Sequence, residues 1–323
     1  MSGKRHEVRV DRSGAGRRLD AYVARRVAGL TRSQVKRLAE EGRVTVDGRP
    51  VKGNTHLRAG QIVVVEVETR RPVLKPVNVP LEFLYEDRRL IAVNKPAGLA
   101  VHPSETLREP TLVEALLAAR PEIRGVGERM RPGLVHRLDK ETSGVLLAAK
   151  ERVFQRRMMQ LFASHRVLKY YAAITSGVPR RRSGTVDTCI VRHPAYRQRF
   201  TVAEEGRRSI TRWRLVRAFG DRFALVVANP ITGRTHQVRV HMRHLSAPVL
   251  CDKLYSSRQR LFLSDLTGGS RPAGETPLLA RQALHAVSVS FVHPESGRFI
   301  RIKAPLPADM SAVLNALAAA FPR

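Results

Sequence analysis

Five consecutive apolar residues, Val145–Ala149, bounded by Gly144 and Lys150, constrain the fold of this chain more than any other stretch. A run this short with nothing polar in it suits a strand buried on both faces, although a buried helix segment has the same pattern. A strand covered on both sides needs a sheet with further layers above and below. The chain can supply them: 323 residues with 43% hydrophobic content make a sizeable core, and this length points to two domains.

Asp139 lies in the turn that leads into this run. Thr142, Ser143 and Gly144 are turn formers whose hydroxyls bond locally, so the carboxylate is expected on a defined loop, where chemistry tends to sit. His136, Arg137 and Lys140 would surround the acid with cations that favour its ionised form. The same residues also fit a structural ion-pair partner or a turn cap.

Charge narrows the class of partner. The 58 Lys and Arg against 28 Asp and Glu leave a formal charge of +30, which favours a polyanion, nucleic acid before membrane. No apolar stretch approaches the roughly 20 residues that span a bilayer, and the first twenty residues are charged throughout, without an apolar signal core. A cytoplasmic monomer is expected. Cys189 and Cys251 stand too far apart in sequence for a disulfide framework or a paired metal motif and read as small core residues.

In chain order, residues 1–16 read as a frayed basic tail and residues 17–68 as a compact module. Leu19, Val23 and Val27 recur at helical spacing; Thr31 and Gln34 form a capping box for a second helix; Asp47-Gly48 marks a hairpin; Ile62–Val67 is a further strand. Arg32, Lys36 and Arg37 share a helix face, which is either an RNA contact or a solvated surface. The pattern resembles the small RNA-binding domain named after ribosomal protein S-four. Residues 69–80, rich in Pro and basic residues, read as an extended linker before a large domain over 81–323.

Within that domain Leu81–Tyr85 and Leu90–Val93 read as strands, and Thr111–Ala119 has helical spacing. A helix over 151–166 would present Val153, Met158, Leu161 and Phe162 inward, and a strand over 166–174 would place Lys169 and Tyr171 on one face and Tyr170 on the other. Residues 180–214 are dense in Arg, with Tyr196, Phe200 and Trp213 interleaved; this suits phosphate contact and base stacking, as it would solvated strand edges. Val238 and Val240 flank Arg239 in strand-like alternation, so Arg239 is expected to point away from both. His236, His241 and His244 cluster in sequence, but no third ligand has suitable spacing, so no metal site is expected.

Taken together, HRLDKETSGVLLAAK at 136–150, NKPAGLAVHP at 94–103, KYYAA at 169–173, TGRTHQVRVH at 232–241, DKLY at 252–255 and LHA at 284–286 stand in the order found in the RluA-type pseudouridine synthases. HPESG and APLP close the series. The chain resembles this family over residues about 80–308, and the amino-terminal module points to its RluD- and RluC-like branch, which acts on large-subunit ribosomal RNA. Cys251 and Ser256 replace glycines usual there, and Ser209 replaces a common Ala.

The resemblance implies an α+β protein: a small helix-helix-hairpin RNA-binding module and a large mixed, mainly antiparallel β domain with its cleft across the sheet. It implies isomerisation of uridine to pseudouridine without metal, redox cofactor or nucleotide. Asp139 would be the nucleophile and Arg239 its ion-pair partner. Tyr171 would stack under the base and is a candidate to remove the carbon 5 proton, and Arg137 would enter the RNA when the uridine flips out. Arg137, His136, Arg234 and His236, with Arg32, Lys36 and Arg37, are the candidate RNA-contacting residues. A catalytically idle RNA-binding or ribosome-assembly factor on the same fold is the alternative; a nonspecific DNA-binding protein would explain the charge but not the acid.

Overall fold

A computed structural model describes residues 3–68, 73–103, 109–268 and 270–322. The chain divides into two compact units, Met1–Val73 and Leu74–Arg323.

The first unit holds β1 (Gly3–Arg9), α1 (Leu19–Arg26), α2 (Arg32–Glu40), β2 (Val44–Val46), β3 (Arg49–Pro50) and β4 (Ile62–Glu68), with sheet order β1-β4-β2-β3. Leu19, Val23 and Val27 from α1 and its end meet Val35 and Leu38 of α2 over Val44, Val46, Val63 and Val65 of the sheet. Thr31 and Gln34 form the capping box that the sequence encodes. Asp47 and Gly48 both have positive φ, 49° and 79°, as a two-residue hairpin that follows the strand twist requires.

Residues 3–9 are not a frayed tail. They form β1, antiparallel along the open edge of β4 from Gly3 opposite Glu68 to Arg9 opposite Ile62. Val8 is the one apolar residue in this strand and packs against the core, too little to show an alternation in the sequence. The linker expectation also changes at its carboxyl end. Leu74 is buried with Ile91, Val93 and Leu116, and the Val77 N–H donates to the Glu114 carbonyl at 3.2 Å, so residues 74–80 pack as part of the second unit. Residues 69–72 lie outside the described residues.

The second unit contains β5 (Glu82–Glu86), β6 (Leu90–Lys95), α3 (Leu112–Ala119), β7 (Ser143–Ala149), α4 (Arg152–Ala163), β8 (Leu168–Ser176), β9 (Ser183–Arg192), β10 (Phe200–Ala203), β11 (Arg207–Phe219), β12 (Phe223–Pro230), α5 (Gln237–His244), α6 (Ser264–Thr267), β13 (Leu284–Val292), β14 (Phe299–Lys303) and α7 (Ala308–Ala320). Its sheet runs β10-β9-β11-β12-β8-β13-β7-β6-β5, with β14 paired to β13. The pairs are antiparallel except β7–β13, which meet in parallel with Ser143 opposite His285 and Gly144 opposite Ala286. Every residue of β7 is buried, with α3 covering one face and α4 the other.

Three sequence expectations are corrected here. Val238, Arg239 and Val240 lie in helix α5, not in a strand, and all three are buried. On α4 Met158 is buried and Leu161 and Phe162 pack against the same core, but Val153 is half exposed and Phe154 and Gln155 are buried instead. Trp213 is buried in the core beside Ala173, Phe223 and Val226, so it cannot stack on RNA. Among the described residues no helix is long and apolar enough to cross a membrane.

Gly144 is the contact point of the one parallel pairing. Its φ is +111°, and a Cβ there would meet the Ala286 carbonyl oxygen at 2.3 Å and the Ala286 nitrogen at 2.7 Å. Gly144→Ala should therefore cost about 3 kcal/mol or more, backbone strain adding to overpacking. Thermal unfolding is the check; an unchanged midpoint would overturn the assignment of β7 to β13.

Candidate active site

Asp139 sits on the loop that delivers the chain into β7, and that loop is tied down from several sides. Lys95, at the end of β6, is fully buried, and its ammonium donates to three carbonyls: Pro96 and Leu99 at 2.8 Å and Lys140 at 2.9 Å. All three ammonium protons are thus used. The Gly98 N–H also donates to the Lys140 carbonyl, at 3.0 Å. From the far side Gln282 donates to the Thr142 hydroxyl at 2.7 Å and Arg281 to the Glu141 carbonyl at 3.2 Å, while Ser143 bonds His285 at 2.9 Å. The NKPAG and LHA regions of the sequence are thus two clamps on the loop of Asp139.

α5 supplies the partner. Arg239 Nη1 donates to Asp139 Oδ2 at 2.9 Å, while its Nε and Nη2 form a fork on Asp252 at 2.7 and 2.8 Å. The Arg239 side chain is 6% exposed, Asp252 is fully buried and Asp139 is 21% exposed. Asp252 also accepts the Leu254 and Tyr255 backbone N–H groups, so its oxygens are well satisfied. Of the two carboxylates, only Asp139 opens towards solvent.

The opening is a cavity of about 510 Å³ lined by Asp139, Tyr171 and Arg239 together with His136, Arg137, Arg234 and His236. Every candidate catalytic residue and every RNA-contact candidate of this unit therefore borders one space. Tyr171 and Lys169 reach it from β8, as their shared strand face requires. Burial and the Asp139 charge push the Tyr171 phenol well above its usual range, so it stays protonated. Burial also lowers Lys169 to about 8 and Lys95 to about 7. His236 Nε2 lies 4.0 Å from Asp139 Oδ2.

His136 does not act as a cation here. Its Nε2 accepts the Leu147 N–H at 3.0 Å, and its ring stacks on Phe162 at 4.7 Å. Burial, with the Lys169 charge, pushes it down to about 3, so it is a neutral strut with one ring face at the cavity wall. Lys140 also turns away from Asp139, to Glu109. In the first unit Arg32, Lys36 and Arg37 are exposed, each with an acid near it: Asp20 at 3.4 Å, Glu40 at 3.8 Å and Glu41 at 3.6 Å. Exposed pairs of this kind are worth well under about 1 kcal/mol and leave the cations available.

Residues 89–244 match the RNA pseudouridylate synthase family, and residues 17–63 match the S4 domain. The ribosomal large subunit pseudouridine synthase D of Xanthomonas campestris pv. campestris is 38% identical over 314 residues, 94% of this chain and 90% of that protein. The chain belongs to the RNA pseudouridylate synthase family. The synthase of the same name from Haemophilus ducreyi is 36% identical, with 95% of this chain and 93% of that one covered. Among solved structures, human RNA pseudouridylate synthase domain containing 4 superposes with a TM-score of 0.57 at 28% identity, covering 73% of this chain and 92% of that one. This chain is thus an enzyme that isomerises uridine in RNA to pseudouridine.

Sequence reasoning gave no role to Lys95, Asp252 or Tyr255, although the motifs holding them had been recognised in order. Their signal is burial, which a motif string does not show. Among the described residues no three His, Cys, Asp or Glu side chains come together as a metal site.

Histidine burial has a consequence for stability. His136 is lowered to about 3, and His102, His241 and His285 to about 4, from a usual 6.5. The unfolded chain binds protons at these sites before the folded synthase does, so stability is full above pH 6.5 and is lost as pH falls towards about 4. Denaturant midpoints measured across that window should fall steadily. A flat profile would mean that these rings become protonated in place.

Proposed function

We propose that this synthase modifies uridines of large-subunit ribosomal RNA, with Asp139 as nucleophile acting on a base flipped into the cavity. The observation that carries the reading is a single solvent-facing carboxylate, held at 2.9 Å by a buried guanidinium, at the floor of an otherwise basic cavity. A carboxylate can form and release a covalent adduct while a glycosidic bond is exchanged, provided it is ionised and oriented. Arg239 orients it, and the fork on Asp252 keeps Arg239 from following the nucleophile during turnover.

Tyr171 offers its ring to the flipped uracil. With its phenol held neutral it is suited to stacking and poorly suited to removing the carbon 5 proton. Arg137, exposed at the cavity wall, is placed to fill the gap that the departed uridine leaves in the RNA. Arg234 is exposed on the same rim, where it can meet phosphate. The S4 domain adds a second RNA contact through Arg32, Lys36 and Arg37. The ribosomal substrate is supported by the names of the Xanthomonas and Haemophilus relatives.

Asp139→Ala should reduce turnover to background while RNA affinity and folding persist, because Arg239 keeps its fork on Asp252. Site-resolved pseudouridine mapping of ribosomal RNA from cells lacking the protein, complemented with wild type or with Asp139→Ala, is the test. Positions restored by both proteins would remove Asp139 from the chemistry. A map unchanged by the deletion would remove ribosomal RNA as the substrate.

Replacing Arg32, Lys36 and Arg37 together by Ala should weaken RNA binding and lower the magnitude of its log–log salt slope by about 2–3, near 0.7–0.9 per phosphate contact. Binding titrations over a salt series read this directly. An unaltered slope would place RNA on another face.

A further inference from the structure

Tyr255 and His236 have no chemical role in the reading above, yet they are coupled in a way that fixes a proton. The Phe200 N–H, at the start of β10, donates to Tyr255 Oη at 2.8 Å, and Tyr255 Oη lies 2.9 Å from His236 Nδ1. Tyr255 is 6% exposed. A phenol has one proton to give and lone pairs that accept. If His236 Nδ1 also donated to Oη, the phenol proton would be buried with no acceptor among the described residues, an arrangement folded proteins avoid. The phenol proton therefore goes to Nδ1, and the imidazole carries its own proton on Nε2.

Further observations fit this assignment. Burial holds the Tyr255 phenol above its usual range, so it keeps the proton it donates. Burial also lowers His236, with Asp139 and Asp252 pulling it up and Arg239 and Arg137 pushing it down, so the ring is held towards its neutral form. Tyr255 and Phe200 stand edge-on to the imidazole at 5.6 and 5.5 Å, which fixes its plane. Nε2 then faces the cavity 4.0 Å from Asp139 Oδ2, beyond hydrogen-bond reach, with no other protein acceptor among the described residues. His236 caps α5 with a φ of +57°, so one turn of chain delivers both this donor and Arg239 to Asp139.

We propose that His236 is a further catalytic residue: its Nε2–H, set by Tyr255, donates to an oxygen of the target uridine while the nucleotide lies against Asp139. The proposal rests on the reading of Asp139 as nucleophile. Breaking the bond from ribose to nitrogen 1 and remaking it to carbon 5 shifts charge onto oxygens of the nucleotide. A fixed neutral donor aimed at such an oxygen stabilises that charge without surrendering its proton. The ring's one lone pair is occupied by Tyr255, so His236 is a hydrogen-bond donor and not a base.

Two measurements test this, and the first needs no turnover. In full-length protein with nitrogen-15 histidine, long-range proton–nitrogen NMR should show His236 with bare Nδ1 and protonated Nε2, its signals assigned by their loss in His236→Asn. Tyr255→Phe should abolish that preference. A protonated Nδ1 in the wild type would overturn the proposal whatever the enzyme acts on. The second is single-turnover pseudouridine formation at saturating unmodified large-subunit ribosomal RNA. His236→Asn, which tolerates the left-handed backbone but places no donor at the Nε2 position, should slow the step by about tenfold or more with RNA affinity unchanged. His236→Gln, whose amide nitrogen reaches that position, should recover part of the rate. A wild-type rate in His236→Asn, or a loss of affinity that accounts for the whole loss of rate, would overturn the catalytic role. An inactive wild type would remove large-subunit ribosomal RNA as the substrate, and a wild-type rate in Asp139→Ala would sink the nucleophile reading, while the NMR result would still stand or fall alone.

Discussion

The active site is organised around one guanidinium shared unequally by two carboxylates. Arg239 gives its planar fork to Asp252, which is wholly buried, and a single N–H to Asp139, which is not. Taking a guanidinium out of water is costly unless it is paired and fully hydrogen-bonded. Asp252 meets that cost, so Arg239 does not depend on Asp139 for its burial. Asp139 therefore sees an arginine that is already held in place: it receives one N–H that orients its carboxylate, and not the fork that Asp252 receives. The two acids are interchangeable on paper, but burial and hydrogen-bond count give one the supporting place and leave the other open to the cavity.

That arrangement demands a rigid loop under Asp139, and the rigidity comes from unusual quarters. Lys95 spends an ammonium group on three backbone carbonyls with no carboxylate in hydrogen-bond contact, and burial lowers it to about 7. A neutral side chain could not donate three bonds in those directions, so the charge is tolerated for its geometry. On the opposite side the parallel pairing of β7 with β13 brings Gln282 and Arg281 beside Thr142 and Glu141, and it exists because Gly144 lets two backbones approach where any side chain would collide. The loop of Asp139 is thus positioned by sheet topology as much as by its own turn residues.

Much of this was legible in the sequence where a local rule acts alone. The apolar run Val145–Ala149 became a strand buried on both faces, Thr31 and Gln34 a capping box, Asp47-Gly48 a hairpin with two positive φ values, and Lys169 and Tyr171 neighbours on one face. Where two patterns share a sequence, the reading failed. Val238-Arg239-Val240 alternates, but three residues cannot distinguish a strand from a helix whose whole surface is covered, and α5 is buried through Gln237 to Met242. The charged β1 could not be read because Val8 is its one apolar residue. His136 looked like a cation beside an acid; only the distant Leu147 N–H and the Phe162 ring reveal a neutral ligand to the backbone. Cys251 in place of glycine is explained the same way: its φ of +58° is the left-handed backbone that glycine suits, so the departure carries strain immediately before Asp252.

The chain's large excess of positive charge is usually read as a device for finding RNA, and the cavity shows a second consequence. Lys95 and Lys169 are both lowered chiefly by desolvation, to about 7 and about 8, so near neutral pH their charges are held at the margin. Lys169 lines the cavity beside the candidate site, so a polyanion laid over the opening would favour its protonated form. Lys95 does not line the cavity: it is fully buried on the three carbonyls of the Asp139 loop, so the excess of positive charge meets RNA through one of these lysines and holds the fold through the other.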